Sequence, residues 1–151
     1  MGLMNYTSQV PVNRSISYIE DKLARHGASQ ILKMYTIDGQ VEGIAFIISL
    51  DGVDMPFKVP AKIVECEKIL RESVKRPRKD TLKRIKQQAE KTAWKIVSDW
   101  VDVQMAMIDL AQVEFMQAFF PYLYSHSKQQ TYFEIMKAKG LQKLLPELAR
   151  E

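Results

Sequence analysis

Cysteine is nearly absent from this chain of 151 residues, because Cys66 is the only one. One cysteine cannot form a disulfide within the chain, and it cannot supply the thiolate pairs of a cysteine-based zinc site. The first ten residues, MGLMNYTSQV, lack the basic start and apolar core of a signal peptide. We therefore expect a cytoplasmic protein without disulfides, and the sequence indicates no metal and no cofactor.

Motifs that mark catalysis are missing as well. The sequence contains no nucleophile elbow, Walker loop, dinucleotide fingerprint or HExxH motif. Histidine is limited to His26, at the end of a predicted helix, and His126, in a predicted loop. Cys66 stands at helical spacing from Ile63 and Leu70, which is typical of a small core residue. The sequence therefore favours a protein that is not an enzyme, and a small hydrolase with clustered acids or histidines is the third hypothesis.

The composition indicates one folded domain. Hydrophobic residues make up 46% of the chain and charged residues 26%, which is ordinary for globular proteins. A chain of this length buries about two thirds of its surface as a single domain. We predict one domain over 1–151, with an N-terminal αβββα part at about 5–74, a basic joint at 75–80 and helices over 81–151.

Positive charge is concentrated in one stretch, residues 75–86, which we call the basic segment. The net charge is +4, but seven basic residues and one acid give this segment +6 and leave −2 for the rest. Lysine and arginine bind phosphates and release counterions. The segment could therefore bind an anionic ligand, DNA or RNA, or it could be a solvated linker, the more common meaning of such a run. Its candidate binding residues are Arg78, Lys79, Lys83 and Arg84.

The first half of the chain is predicted to contain a helix at roughly 14–26. Apolar residues recur there at helical spacing, and Gly27 supplies a stop. Asn13 or Ser17 can cap the helix, and Ser17 with Glu20 matches a capping box.

Three strands are predicted next, as an antiparallel meander. Segments rich in β-branched and aromatic residues are joined by Asp-Gly pairs at 38–39 and 51–52, and Asp-Gly accepts the positive φ angles of type I′ turns. Pro56 removes a backbone donor, which makes the third strand an edge. The central strand is predicted to be covered on both faces, with Ile44, Phe46, Ile48 and Leu50 on one face and Ala45 and Ile47 on the other.

The second half of the chain is predicted to be helical. One helix fits 61–74, between two prolines, and a long helix can run over 81–120, roughly 60 Å, without glycine or proline. A short helix ended by Gly140 and a C-terminal turn or tail follow. The predicted class is α+β. The first of these helices is expected to bury Ile63, Val64, Ile69 and Leu70.

The long helix carries apolar residues on every side. From Trp100 to Phe120, fifteen of twenty-one residues are apolar, and the six polar ones point in different directions at about 100° per residue. A membrane crossing would bury Asp102, Asp109 and Glu114, at about 2.5–3.5 kcal/mol for each Asp at the bilayer centre, so we reject it. Contact on two sides predicts a homo-oligomer that forms through 81–120.

The start of the apolar stretch offers a candidate pocket. Its two tryptophans could stack on a planar ligand that nearby polar groups orient. The alternative is that both tryptophans are packing anchors whose N–H groups find acceptors, and this is the more common role. The candidate pocket residues are Trp94, Asp99, Trp100 and Gln104.

The chain resembles a family of small uncharacterised proteins of bacteriophages, prophages and other mobile elements. The resemblance covers most of the chain and is carried by YTSQVPVNRSISYIEDKLARHGAS at 6–29, PFKVP at 56–60 and QAEKTAWKIVSDWVDVQMAMIDLAQVEFMQAFFPYL at 88–123. Because the family has no established activity, the resemblance carries over no catalytic residue. It implies a setting in which small accessory proteins act by binding.

Our leading hypothesis is a non-enzymatic, oligomeric binding protein of phage or mobile-element origin. It would serve as an accessory or anti-defence factor that binds a host protein or sequesters a small, nucleotide-like anionic ligand. The alternative is an accessory protein that binds DNA or RNA through the basic segment.

Overall fold

The computed structural model describes residues 2–144 and confirms the predicted α+β class. From residue 145 onward the predicted C-terminal tail lies outside the described residues. The elements are α1 (Val12–Arg25), β1 (Ala28–Tyr35), β2 (Val41–Leu50), β3 (Val53–Pro60), α2 (Ile63–Glu72), α3 (Lys79–Asp109), α4 (Phe115–Phe119), a 3-10 turn (Phe120–Tyr122), β4 (Tyr124–Ser125), β5 (Gln130–Thr131), α5 (Tyr132–Lys139) and a second 3-10 turn (Leu141–Leu144).

Helix α1 begins two residues earlier than predicted. Pro11 occupies the N-cap position and no side chain caps the helix, so the predicted caps Asn13 and Ser17 are wrong. Proline is well suited to a helix start, because its fixed φ is helical and its missing N–H would have no partner there. The predicted stop is confirmed, since the helix ends at Arg25 and Gly27 has a φ of 99°, which glycine tolerates best.

The three strands form the predicted antiparallel meander in the order β1-β2-β3. The second turn has the predicted form: Leu50 pairs with Val53, and Asp51 and Gly52 both have positive φ angles. The first turn differs. There the Thr36 N–H donates to the Gln40 carbonyl, and of the central residues only Gly39 is left-handed. This is a three-residue loop closed by a glycine, so the predicted type I′ turn is wrong at 38–39.

The two faces of the sheet are covered unequally. The inner face of β2 places Ile44, Phe46 and Ile48 in the core, beneath α1 and α3. On the outer face Ala45 is buried, but Ile47 is half-buried and the neighbouring Leu32 is exposed. The prediction that both faces of the central strand are covered is therefore confirmed for the inner face and holds only in part for the outer face. β3 is an edge strand as predicted, and beyond it only a single bridge joins Phe57 to Leu123 among the described residues.

Helix α2 packs against α3 with a slightly different face than predicted. Ile63 and Leu70 are buried as expected, and Cys66 joins them in the core. Val64 and Ile69 are 74% and 40% exposed, so their predicted burial is wrong. Burial also raises the pKa of the Cys66 thiol, which keeps it protonated and unreactive.

Helix α3 is shorter than predicted, because it ends at Asp109. Its 31 residues span about 46 Å. Ala111 takes a left-handed φ of 56°, the Ala111 N–H donates to the Ile108 carbonyl, and the Gln112 N–H donates to the Met107 carbonyl. These two bonds form a Schellman motif that closes the helix with alanine where glycine is usual. Among the described residues, no helix has the length and hydropathy needed to cross a membrane.

Helix α4 starts after this break with a capping box of its own. The Glu114 side chain accepts from the backbone of Gln117, and the Glu114 N–H donates to the Gln117 side chain. α4 then places Phe119 in the core beside Phe46 and Phe57. The polar residues near the end of the predicted long helix therefore mark a boundary between two helices.

Candidate functional site

Trp94 is a packing anchor of the core. Its side chain is fully buried, and its indole N–H donates to the Val41 carbonyl at 3.1 Å. A buried tryptophan normally needs such an acceptor. With no exposed ring face, Trp94 offers nothing on which a ligand could stack.

The other three residues of the predicted pocket lie apart from Trp94. Asp99 accepts from the Asn5 side chain at 2.8 Å and pairs with Lys95, which fastens the N-terminal segment to α3. Trp100 packs edge-on against the rings of Phe119 and Tyr122, with centroids 5.3 and 5.5 Å away. Gln104 is half-buried one turn later. The structure does not bring these four side chains together in one cavity.

Two of the scattered acids of the long helix bind α1. Asp102 accepts from the Tyr18 hydroxyl at 2.7 Å and lies 3.4 Å from the Lys22 ammonium. These contacts lower the pKa of Asp102, with the Tyr18 hydrogen bond as the largest cause, and they raise the pKa of Tyr18. Asp109 contacts His26 at 2.8 Å. The scattered acids of the long helix predicted contacts with another chain, but these two have their partners within the same chain.

An apolar stripe nevertheless remains on the outward side of α3. We call it the outer stripe, and its members alternate four and three residues apart, the spacing of a coiled-coil seam. At about 100° per residue it lies roughly opposite the buried side chains of Val101 and Met105. Val103 is 54% and Leu110 76% exposed. The stripe consists of Ile96, Trp100, Val103, Met107 and Leu110.

The same face of α3 is covered where α2 runs beside it. Ala89 and Ala93 continue the spacing of the stripe toward the helix start, and both are buried. Ala93 of α3 and Cys66 of α2 line one groove, and this groove extends to Ile96, the first residue of the outer stripe. The outer stripe is thus the continuation of an internal helix contact beyond the point that α2 covers.

The basic segment forms an exposed, positively charged corner. It comprises the loop after α2 and the first two turns of α3, with Arg78 at the N-cap and no side-chain cap. Every basic residue of the segment is exposed, and none makes an ion pair with another residue in 2–144. The candidates Arg78, Lys79, Lys83 and Arg84 are all exposed, but at about 100° per residue they point to different sides of the helix start.

A cleft beside α5 was not predicted from the sequence. It has a volume of about 1060 Å³, and we call it the α5 cleft. Three distant parts of the chain form it: the junction of β3 with α2, the 3-10 turn after α4, and β5 with α5. Its lining includes Pro60, Lys62, Tyr122, Phe133, Glu134 and Lys137.

Helix α5, beside this cleft, begins with a capping box. The buried Thr131 hydroxyl accepts from the Glu134 N–H, and the Glu134 carboxylate accepts from the Thr131 N–H at 3.1 Å and from its hydroxyl at 3.0 Å. The backbone hydrogen bond is the main cause that lowers the pKa of Glu134, to which Lys62 and Lys58 contribute. Glu134 is therefore an anionic cap of α5.

Within residues 2–144, no group of three or more histidine, cysteine, aspartate or glutamate side chains is placed to hold a metal ion. The resemblance to proteins of phages and mobile elements stays a prediction, because comparison with protein-family models, with curated proteins and with solved structures finds no match to this chain.

Proposed function

We propose that this chain is a non-enzymatic binding protein that works as a homo-oligomer, with a two-fold dimer through the outer stripe as its basic unit. The observation that carries the proposal is the heptad spacing of apolar side chains on the second half of α3, of which Val103 and Leu110 are exposed and the other three are half-buried. Side chains at this spacing insert between those of a second helix that has the same spacing. A second copy of the chain supplies such a helix, so the stripe is complementary to itself.

The geometry of the stripe favours two-fold pairing around its middle residue. Val103 lies at the centre of the stripe, seven residues from Ile96 and from Leu110. A two-fold axis through this point brings the two copies of Val103 together whether the helices run parallel or antiparallel. If the helices are antiparallel, Ile96 of each copy faces Leu110 of the other.

The energy available from the stripe is moderate. Fully burying a valine, leucine or methionine side chain contributes about 1.5–3 kcal/mol, and Val103 and Leu110 are the most exposed members. The stripe is only about 21 Å long, so it makes a small interface by the standards of stable dimers. We therefore expect dissociation in the micromolar range.

Size-exclusion chromatography with light scattering tests the dimer. Lysine at positions 103 and 110 would bring like charges together without disturbing the core, since both side chains are exposed. We expect the unsubstituted chain to be a dimer and the double variant Val103→Lys/Leu110→Lys a monomer. The matched control is Val64→Lys, at an exposed valine on α2, which should stay dimeric. An unsubstituted chain that remains monomeric throughout the micromolar range would remove the proposal.

The setting of this binding function follows from the resemblance to phage and mobile-element proteins. We place the protein in the cytoplasm of a bacterial host, where it acts as an accessory or anti-defence factor. Its ligand is a host protein or a small anionic molecule. A two-fold dimer supports either role, because it presents each of its surfaces twice. Identification of what co-purifies with the dimer from an infected host, against the monomeric variant, tests this setting.

A second function, nucleic-acid binding, is favoured by the basic segment. Its seven basic side chains are exposed, and no ion pair with another described residue neutralises them. Binding to a non-specific oligonucleotide should then weaken steeply as salt rises. Replacing Arg78 and Arg84 with alanine should flatten that dependence, whereas Arg14→Ala, at an exposed arginine of α1, should not. Absence of salt-sensitive binding at low salt excludes this function.

A further inference from the structure

We propose that the α5 cleft binds a small molecule that combines a planar ring with a single anionic group, such as a carboxylate or a phosphate monoester. The proposal names a ligand class and a site for the binding function above, and it rests on that function. It does not rest on the dimer, because one chain supplies every residue that lines the cleft.

The size of the cleft suits a ligand of this kind. Clefts that bind small molecules commonly measure about 300–1,000 Å³, and the α5 cleft has about 1060 Å³. Pro60 and Pro121 form parts of its wall. Their fixed φ angles restrict the backbone there, so these parts of the wall are set before a ligand arrives.

Two lysines give the cleft its positive charge. Lys62 comes from the start of α2 and Lys137 from the last turn of α5, and neither makes an ion pair with another described residue. The single acid in the lining is Glu134, whose carboxylate is engaged by Thr131. An anion that enters the cleft therefore meets two ammonium groups and one carboxylate that is already hydrogen-bonded.

Two aromatic rings provide surfaces for a planar group. Phe133 is 47% exposed on α5, and the half-buried Tyr122 of the 3-10 turn also lines the cleft. The Tyr122 ring packs edge-on against Trp100, with centroids 5.5 Å apart. Aromatic faces bind planar rings by stacking, and a ring fixed in advance loses little entropy on binding.

The neighbouring hollow limits how much negative charge the ligand can carry. This hollow, of about 420 Å³, shares Lys62 and Glu134 with the cleft and adds two acids, Glu42 and Glu65, against one further lysine, Lys58. Lys58 already lies 3.9 Å from the Glu42 carboxylate. A chain of phosphates that extended into this hollow would meet net negative charge. We therefore expect a single anionic group to be preferred to a triphosphate.

The test uses adenosine monophosphate as the probe and isothermal titration calorimetry as the measurement. Adenosine alone, inorganic phosphate alone and adenosine triphosphate are compared with it, and 1-anilinonaphthalene-8-sulfonate serves as a second ring-bearing anion that reports by fluorescence. We expect at least one of the two probes, each of which joins a ring system to a single anionic group, to bind more tightly than adenosine alone and inorganic phosphate alone. If neither probe binds, the proposal is overturned.

Substitutions then locate the site. The double variant Lys62→Ala/Lys137→Ala should weaken binding of the probe by at least about tenfold, and Phe133→Ser should weaken it as well. The matched control is Lys139→Ala, because Lys139 lies on the same helix but does not line the cleft. All these side chains except Lys62 lie on α5. Circular dichroism of each variant therefore checks that the helix content of the chain is retained. Equal binding by the control and the double variant would place the site elsewhere and overturn the proposal.

The monomeric variant Val103→Lys/Leu110→Lys separates this inference from the proposed dimer. It should keep the affinity of the unsubstituted chain for the probe, since the cleft belongs to one chain. A monomer that has lost the probe, beside a dimer that binds it, would contradict a site built from a single chain. A chain that is monomeric from the start but binds the probe at these lysines would support the cleft and remove only the dimer.

Discussion

The two halves of helix α3 have the same periodicity and opposite surroundings. Along one face of the first half, Ala89 and Ala93 are buried where α2 packs against the helix. Along the same face of the second half, Val103 and Leu110 are exposed. α2 has only ten residues, and beyond it Trp100 contacts Phe119 and Tyr122 while Val103 and Leu110 stay exposed. Whether an apolar face becomes core therefore depends on the length of the neighbouring helix as well as on the pattern of the face itself.

The side chains of the two halves also differ in size. The covered half uses alanine, which lets two helices approach closely, whereas the outer stripe uses a tryptophan, a methionine and branched aliphatic side chains. Large apolar side chains at regular spacing are costly to leave in water, and their contiguity marks an interaction site. The difference supports a second helix as the missing neighbour of the stripe.

The largest expected effect is a difference in the free energy of unfolding between variants of the two tryptophans, which lie near the border between the two halves of α3. Trp94→Ala should lower the free energy of unfolding by about 3–5 kcal/mol, because it leaves a large cavity and removes the hydrogen bond to Val41. Trp100→Ala removes edge contacts of a half-buried side chain with Phe119 and Tyr122, so we expect a loss of about 1–2 kcal/mol within one chain. Urea unfolding of the two variants measures the difference, and equal losses would mean that the two positions are packed alike.

One substitution made in both halves tests the comparison directly. Ala89→Leu forces three carbon atoms into a fully buried position and should destabilise the fold by about 1–3 kcal/mol. Ala106→Leu adds the same atoms at an exposed position beside the stripe and should change stability by less than about 0.5 kcal/mol. Thermal unfolding of the two variants, measured at the same chain concentration, checks both expectations. A large loss from Ala106→Leu would show that the second half is also covered within one chain.

Cross-linking sharpens the comparison without depending on stability. With Cys66 replaced by alanine, Val103→Cys should form a disulfide-linked dimer under mild oxidation, because the proposed two-fold axis would place the two copies of residue 103 opposite each other. A disulfide needs about 4.4–6.8 Å between Cα atoms. Val64→Cys in the same background is the control, as Val64 is the more exposed of the two valines but lies on α2. Non-reducing electrophoresis gives the result. Equal cross-linking at both positions would indicate random collision.

The order of elements from α1 to α3 could be predicted from the sequence, because local signals specify it, whereas α4 and the short strands β4 and β5 were not predicted. Asp51 and Gly52 accept positive φ angles, and they form the two-residue turn between β2 and β3. The end of α3 could not be predicted, because Ala111 is left-handed there and alanine gives no warning of it. In an isolated chain alanine favours the helix, so the Schellman bonds and the packing of α4 must determine this break.

The candidate sites were predicted less well, because they depend on contacts between distant residues. Asp102 and Asp109 look unpaired along α3, but their partners lie on α1 and at its C-cap, more than 80 residues earlier. Lys62 and Lys137 are separated by a similar length of chain and meet only in the fold. Periodicity within one helix cannot reveal either relationship. Periodicity did indicate that the long helix has apolar side chains on more than one side, whereas the members of the outer stripe were identified only from the structure.

The smallest expected effect concerns the contact between α3 and α1 that Asp102 makes with Tyr18 and Lys22. The pKa of Asp102 is lowered in the folded chain, so its ionised form contributes stability above the unfolded pKa, about 3.9. That contribution is lost as the pH falls through the lower, folded pKa. Because the Asp102 side chain is 48% exposed, solvent screening limits the contribution to about 0.5 kcal/mol.

Asp102→Asn should therefore be less stable than the unsubstituted chain at neutral pH, and the difference should shrink toward zero below pH 4 or so. Denaturant unfolding at a series of pH values measures it. Asp54→Asn, at an exposed aspartate of β3, is the control and should show no such convergence. A difference that stays constant with pH would mean that the Tyr18 hydrogen bond needs only an acceptor, which asparagine also supplies. Packing and hydrogen bonding would then be enough to join α3 to α1 at Asp102, and the charge of Asp102 would play no part in positioning the outer stripe.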